Sequence, residues 1–229
     1  MKRLVFSMLF VFGLTCCFCA QSKNQFKREV RVGEKLVELV KAKNYDKVFG
    51  LLDKIKVKDG CKIKIEPYDR EKAFMAGGAV SSICIYDKEG KLLTDNFKDD
   101  FWSYLQVEKS KMGAWQAYLV KRMWHYLPLY WHANYVRQEY VYAQSSKVEF
   151  EGVLDDEEES FNSAIRANDV TPSIVQEGDK FFISACYWTI HGGLFREKYV
   201  VSFEGDNVVI KKIEYSIENL FDYDCGIVY

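Results

Sequence analysis

The chain has 229 residues, of which 48% are hydrophobic, 16% aromatic and 28% charged. Such an apolar composition excludes a disordered protein, and 3 prolines with 14 unperiodic glycines exclude collagen-like and linker-type chains. With 32 basic and 33 acidic residues the net charge is −1, so no overall basic field favours nucleic acid as a partner.

The N-terminal residues have the layout of a secretory signal peptide. Lys2 and Arg3 precede an uncharged, mostly apolar run from Leu4 to Leu14, and small residues follow. A membrane-spanning anchor would need about 20 apolar residues, which is more than this run provides. We therefore predict that residues 1–20 are a signal peptide and that the protein is exported.

The processing of this signal peptide is left open by the sequence. Cleavage before Ala20 or before Gln21 would release a soluble periplasmic or secreted chain. Alternatively, the run 14–17 resembles a loose bacterial lipobox, although Cys16 stands where Gly or Ala is usual. Cys17 would then be lipidated and would tether the protein to a membrane.

The remainder of the chain is predicted to be a tether followed by one domain. Removal of residues 1–20, which contain two basic and no acidic residues, leaves 30 basic and 33 acidic residues, a charge of −3. Residues 21–29 are polar and basic, which is typical of a tether. Since no linker-like stretch divides the rest, we expect a single α+β domain over 30–229.

Four cysteines follow the signal peptide. An even number in an exported protein predicts one or two disulfides, and four cysteines allow three full pairings. The alternative is buried thiols, because two of the four lie in apolar, strand-like runs. No two are close enough in sequence to begin a zinc site, so no metal is predicted. The disulfide candidates are Cys61, Cys84, Cys186 and Cys225.

Hydrophobic spacing divides the chain into helical and extended segments. Helices are predicted at 33–43, 45–52, 95–105, 112–127 and 161–168, and residues 129–143 carry both patterns with a preference for helix. Period-two alternation predicts strands within 55–65 and at 79–86. Three further strands, separated by polar turns, predict a C-terminal antiparallel meander at 181–190, 198–203 and 208–215.

Two segments, LVELVKAKNYDKVFGLLD and KYVVSFEGDNVVIKKIEY, together about 40 residues, resemble the two ends of an NTF2-like (cystatin-like superfold) domain. The resemblance implies N-terminal helices packed on a curved antiparallel sheet with a pocket. The middle of the chain is longer than this pattern. The resemblance implies no chemistry, because that fold hosts enzymes and binding proteins alike.

Aromatic clustering is the most unusual feature of the sequence. Four of the five tryptophans lie between positions 102 and 131, among many tyrosines and several basic residues. Trp and Tyr are enriched at binding surfaces, although they also fill cores between helices and sheets. The predicted ligand-binding surface consists of Trp115, Arg122, Trp124, His125, Trp131 and Tyr135.

The sequence carries no nucleophile elbow, nucleotide-binding loop, zinc-protease motif or calcium-binding loop, and it predicts no catalytic residue and no cofactor. The leading hypothesis is an exported bacterial envelope protein that binds a small molecule or a protein without catalysis. One alternative is an envelope hydrolase without a readable motif, for which Glu139 and His132 are the candidate pair. The other is an exported inhibitor or immunity-type protein.

Overall fold

A computed structural model describes residues 30–36, 38–39, 42, 44–67, 81–94, 99–126, 139–141, 157–189, 192–213 and 216–223. These residues combine helices with antiparallel sheets, so the fold class is α+β. The predicted signal peptide, the tether and the lipidation site Cys17 lie outside the described residues.

The described α-helices are α1 (30–36 and 38–39), α2 (Lys111–Tyr126) and α3 (Glu158–Ala167). Short 3-10 helices are formed by Tyr45–Lys47, Phe49–Leu51 and Asp99–Tyr104. The described strands are β1 (Ile55–Val57), β2 (Lys62–Pro67), β3 (Ser81–Tyr86), β4 (Leu105–Val107), β5 (Glu139–Val141), β6 (Ser173–Glu177), β7 (Lys180–Thr189), β8 (Gly193–Glu204), β9 (Asn207–Lys212) and β10 (Glu218–Phe221).

The long strands β7 and β8 form the centre of the main antiparallel sheet. The opposite edge of β7 is shared by β6, which pairs with residues 180–184, and β5, which pairs with 186–188. The opposite edge of β8 is likewise shared by β9 and β10. Strands β7, β8 and β9 therefore form an antiparallel meander at the positions where the sequence predicts one. Two smaller sheets pair β1 with β4 and β2 with β3.

Helix α2 covers one face of the main sheet and contacts β6, β7, β8 and β9. Its residues 112–120 are all buried, as expected for a helix that is apolar on every side. Ser110 begins the helix, because its Oγ accepts a hydrogen bond from the Gly113 amide at 3.1 Å. The buried Gln116 side chain fixes the helix to the loop before β1 by accepting from the Lys54 amide at 2.8 Å.

The two faces of the sheet pack against different helices. Side chains alternate along a strand, so Tyr187 faces α2 while its neighbours Cys186 and Trp188 face the other side. On that second face α3 contributes Phe161 and Ile165 to a smaller apolar cluster. The main core therefore lies between α2 and the sheet, and it also includes the two small sheets.

Several local predictions differ from the structure. Residues 45–52 form two 3-10 turns rather than an α-helix, and residues 139–141 form strand β5 rather than part of a helix. Strands β6 and β10 were not predicted. The helix predicted at 95–105 is a 3-10 helix at Asp99–Tyr104, and Leu105 already belongs to strand β4, which was not predicted either. The remaining helical and extended segments have the predicted type where they are described, although their ends differ by several residues.

Candidate functional site

Several polar side chains meet on the face of the sheet that α2 covers. Glu197 and Tyr199 lie two residues apart on β8, so both point toward α2. The register places Lys212, the last residue of β9, directly opposite Tyr199. Arg122, in the last third of α2, approaches the same point from above the sheet.

Glu197 is the centre of a charged group that we call the Arg–Glu–Lys cluster (Arg122, Glu197 and Lys212). The Glu197 side chain is 0% exposed, and its Oε2 lies 3.1 Å from Nζ of Lys212. Its Oε1 lies 3.5 Å from Nε of Arg122. A buried carboxylate is costly unless it is paired, and here each of its oxygens has a cationic neighbour.

Two tyrosine hydroxyls form hydrogen bonds with the cluster. Arg122 Nη1 donates to the Tyr199 hydroxyl at 2.9 Å. Tyr118, one turn earlier on α2, donates its hydroxyl to Oε1 of Glu197 at 3.3 Å. The rings of Tyr118 and Tyr199 also meet edge to face, with centroids 5.4 Å apart. These bonds connect α2 to β8 through polar groups inside an otherwise apolar core.

Lys212 is the member of the cluster that reaches solvent. Its side chain is 35% exposed, whereas that of Arg122 is 6% exposed. Its Nζ lies 5.9 Å from the ring centroids of both Tyr187 and Tyr199. Both distances fall within the range in which an ammonium is attracted to an aromatic ring.

The pKa values of Arg122 and of the neighbouring Tyr187 and Tyr199 are all shifted away from neutral pH. Burial alone would lower the pKa of Arg122, but the charge of Glu197 and the neighbouring tyrosines outweigh it and raise that pKa. Burial, reinforced by Glu197, raises the pKa of Tyr187 to about 12. Burial also raises the pKa of Tyr199. Arg122 therefore stays charged and the hydroxyls of Tyr187 and Tyr199 stay protonated near neutral pH, which suits recognition better than proton transfer.

The residues predicted to form a binding surface have different placements. Trp115 is fully buried in the main core, and Arg122 belongs to the Arg–Glu–Lys cluster. Trp124 and His125 lie in the last turn of α2, and their side chains are not described. Trp131 and Tyr135 lie outside the described residues, as does His132. Trp115 thus has the place of a core residue, the alternative that the sequence also allowed.

The cysteines are distributed over both sheets. Among the described residues Cys61 and Cys186 are free thiols, and burial raises the pKa of Cys186 to about 11. Cys84 is buried in β3, and Cys225 lies outside the described residues. In the β2–β3 register, Cys84 is opposite Lys64, so these two side chains lie on the same face of the sheet. Cys61 lies two residues before Ile63 and so shares the other face with it. Cys61 and Cys84 therefore point to opposite faces. The presence and pairing of disulfides remain predictions.

Sequence reasoning missed Glu197, Tyr199 and Lys212. The signal was present, because alternation from Phe195 through Glu197 to Tyr199 places a carboxylate on an apolar face. The predicted strand began only at residue 198, so this inward-facing acid was not noticed.

The described part of the chain contains no group of three or more His, Cys, Asp or Glu side chains that could hold a metal ion. None of its helices is long and apolar enough to cross a membrane. No protein-family model matches the sequence, and searches of the curated proteins and of the solved structures find no match.

Proposed function

We propose that the protein is exported to the bacterial cell envelope and acts there as a non-catalytic binding module for a small molecule or a protein. Export rests on the sequence of residues 1–20, and lipidation at Cys17 would make the protein a membrane-anchored lipoprotein. In this proposal the N-terminal helices pack on a curved antiparallel sheet, as the NTF2-like resemblance implies.

The observation that carries the binding role is the Arg–Glu–Lys cluster. Glu197 is fully buried between two cations, and only the Lys212 end of the cluster is substantially exposed. The cluster has one more positive than negative charge, held in place by tyrosine hydroxyls. Binding sites commonly combine such a few fixed polar groups with aromatic walls.

The buried thiol of Cys186 is unsuited to act as a nucleophile. A thiol attacks as the thiolate, and the Cys186 pKa of about 11 keeps this side chain protonated at neutral pH. Its burial also removes it from a substrate in solution. Cys186 therefore gives no support to the hydrolase alternative.

The binding role is tested with small molecules from the compartment in which the protein is proposed to act. The probe is the low-molecular-weight fraction of a bacterial periplasmic extract, added to the purified chain during thermal unfolding. The matched control replaces all three charged members of the cluster by methionine (R122M, E197M and K212M). We expect the extract to raise the unfolding midpoint of the wild type and not that of the triple variant. An equal rise in both proteins, or none in the wild type, would contradict a role of the cluster in binding.

The hydrolase alternative requires turnover that depends on a polar side chain. We expect p-nitrophenyl acetate and p-nitrophenyl phosphate to be hydrolysed no faster by the wild type than by the Glu139→Gln and His132→Ala variants, which alter the candidate pair of the hydrolase alternative. A wild-type rate that either substitution abolishes would replace the binding proposal by the enzymatic one.

A further inference from the structure

The surroundings of Lys212 Nζ form a small cage for an ammonium group. Two tyrosine rings, those of Tyr187 and Tyr199, each have their centroids 5.9 Å from this nitrogen. The Glu197 carboxylate lies 3.1 Å away on the buried side. Aromatic rings together with one carboxylate are the arrangement by which proteins recognise amine cations. We call these three residues the tyrosine–glutamate cage.

We propose that the tyrosine–glutamate cage is a recognition site for ligands that carry a primary ammonium group, and that the chain's own Lys212 occupies it when no ligand is present. This inference rests on the proposed binding function and names its ligand class. The site is already complete, because the structure contains an ammonium group at its centre.

The position of Lys212 in the fold allows a ligand to replace its ammonium group in the cage. Lys212 is the last residue of the edge strand β9, and its side chain is 35% exposed. The side chain can therefore turn outward while β8 keeps Glu197 and Tyr199 in place. A tethered group competes at an effective concentration of roughly millimolar or above, so free amines must exceed that level to replace it.

The charges that remain around Glu197 also permit a ligand's ammonium group to replace that of Lys212. When Lys212 leaves, Glu197 keeps Arg122 at 3.5 Å and the hydroxyl of Tyr118 at 3.3 Å. The carboxylate is then balanced by one cation and still has Oε2 directed toward the vacated position. An incoming ammonium restores the contact that Lys212 made, whereas an anion would meet this carboxylate and be repelled.

The first test removes the Lys212 side chain and supplies its missing atoms as n-propylammonium. Lys212→Ala deletes three carbons and the nitrogen, which is the composition of this amine. The matched control is Lys211→Ala, since Lys211 is exposed and lies next to Lys212 on the other face of β9. Thermal unfolding is followed with propylammonium chloride, with sodium chloride at the same ionic strength, and with 1-propanol.

Propylammonium is expected to raise the midpoint of Lys212→Ala by about 4 °C at about ten times its dissociation constant. Sodium chloride and 1-propanol should not reproduce this shift, and the shift for Lys211→Ala should be smaller. Adding Glu197→Gln to Lys212→Ala should abolish the effect. Equal shifts for Lys212→Ala and Lys211→Ala would overturn the proposal.

The second test uses the wild type and does not depend on the folding of a variant. The rings of Tyr187 and Tyr199 should shift the Lys212 Cε protons upfield of those of Lys211 in an NMR spectrum. Propylammonium at concentrations well above the millimolar range should move the Lys212 signal toward that of Lys211. A Lys212 signal that does not move would show that the side chain is a permanent part of the core, which overturns the exchange. Because both tests use purified protein, they are independent of export, and a cytoplasmic location would refute only the envelope role.

Discussion

Glu197 is stabilised by two cations that come from different elements, Arg122 from α2 and Lys212 from β9. Such a carboxylate is sensitive to the loss of either partner, because the remaining charge is left buried with incomplete pairing. Replacement of both partners of a buried pair by apolar side chains costs much less, since no charge then remains to be solvated.

We expect Arg122→Met to lower the free energy of unfolding by about 3 kcal/mol, as for a buried ion pair that loses one partner. The double variant R122M/E197M should be more stable than the single variant. Arg166→Met is the surface control: Arg166 pairs with the exposed Glu159 at 2.6 Å, and this change should cost at most about 1 kcal/mol. Urea unfolding measures the free energy of unfolding of all three variants. A double variant less stable than R122M would contradict the account of the cluster.

The tyrosines of the cluster predict a loss of stability in alkali. Tyr187 and Tyr199 have folded-state pKa values raised by burial, to about 12 for Tyr187, from an unfolded value of 10.0. A raised pKa means that the folded state holds its proton longer, so the stabilisation is complete below pH 10 and is lost as the pH rises toward 12.

Urea unfolding at a series of pH values from 8 upward, at constant ionic strength, should therefore show a decline that begins near pH 10. Tyr187→Phe removes one of these protons and should make the decline shallower. Tyr45, which is only half-buried, provides the control substitution Tyr45→Phe. A decline of equal slope in the wild type and in Tyr187→Phe would contradict the assigned role of Tyr187.

At the scale of the elements, β8 and β10 approach each other closely at Gly193. This residue has φ +93°, and a Cβ placed on it would lie 1.8 Å from the backbone oxygen of Phe221. Neither the conformation nor the space suits any residue with a side chain. Gly205, in the turn between β8 and β9, has φ +61° but no atom within 4 Å of its Cβ position.

This contrast gives a matched pair of substitutions. Gly205→Ala should cost about 1 kcal/mol for its left-handed conformation alone. Gly193→Ala should cost at least about 2 kcal/mol, because the backbone of β10 must also move. Equal unfolding midpoints in urea for the two variants would show that β10 does not lie against Gly193.

Ser110 has two roles at the start of α2. Its hydroxyl oxygen accepts from the Gly113 amide, and its hydrogen bond to the Glu108 carboxylate is the leading cause of the lowered pKa of Glu108, ahead of Lys54. Ser110→Ala should lower the free energy of unfolding by about 1 kcal/mol and raise the Glu108 pKa toward its ordinary value. A carboxyl ¹³C NMR titration measures the pKa, and an unchanged value would contradict this second role. Ser163→Ala, on an exposed face of α3, is the control.

The elements that the sequence predicted are those whose pattern reflects burial on one or all sides. Helix α2 and strands β7 to β9 carry such patterns over many residues. Strands β6 and β10 could not be predicted, because their residues are mostly exposed and their extended form depends on pairing with β7 and β8. The extended form of the short strand β5, which was assigned to a helix, likewise depends on pairing with β7.

The site was predictable only in part for a similar reason. A run of aromatic residues indicates where large side chains are concentrated, but not whether they face solvent, and Trp115 proved to be fully buried. The polar partners of Arg122, which are Glu197 and Tyr199, lie 75 and 77 positions later in the chain. The register of β8 with β9 then brings Lys212 to the same carboxylate. The strand alternation around Glu197 could have indicated an inward-facing acid, but it does not indicate which cations pair with it.

At the scale of the whole molecule, the fold places a charged cluster inside the core and exposes mainly its Lys212 end. Such an arrangement suits a protein that recognises a charged group while its core remains closed. The proposed setting is the bacterial envelope, which rests on residues 1–20 and connects the cluster to ligands outside the cytoplasm.

The intact mass of the mature chain, recovered from the membrane and soluble fractions of an expressing Gram-negative host, tests export most directly. The account predicts a chain that begins at Cys17 with added diacylglyceryl mass in the membrane fraction, or one that begins at Ala20 or Gln21 in the periplasm. A full-length chain that begins at Met1 and remains in the cytoplasm would contradict it.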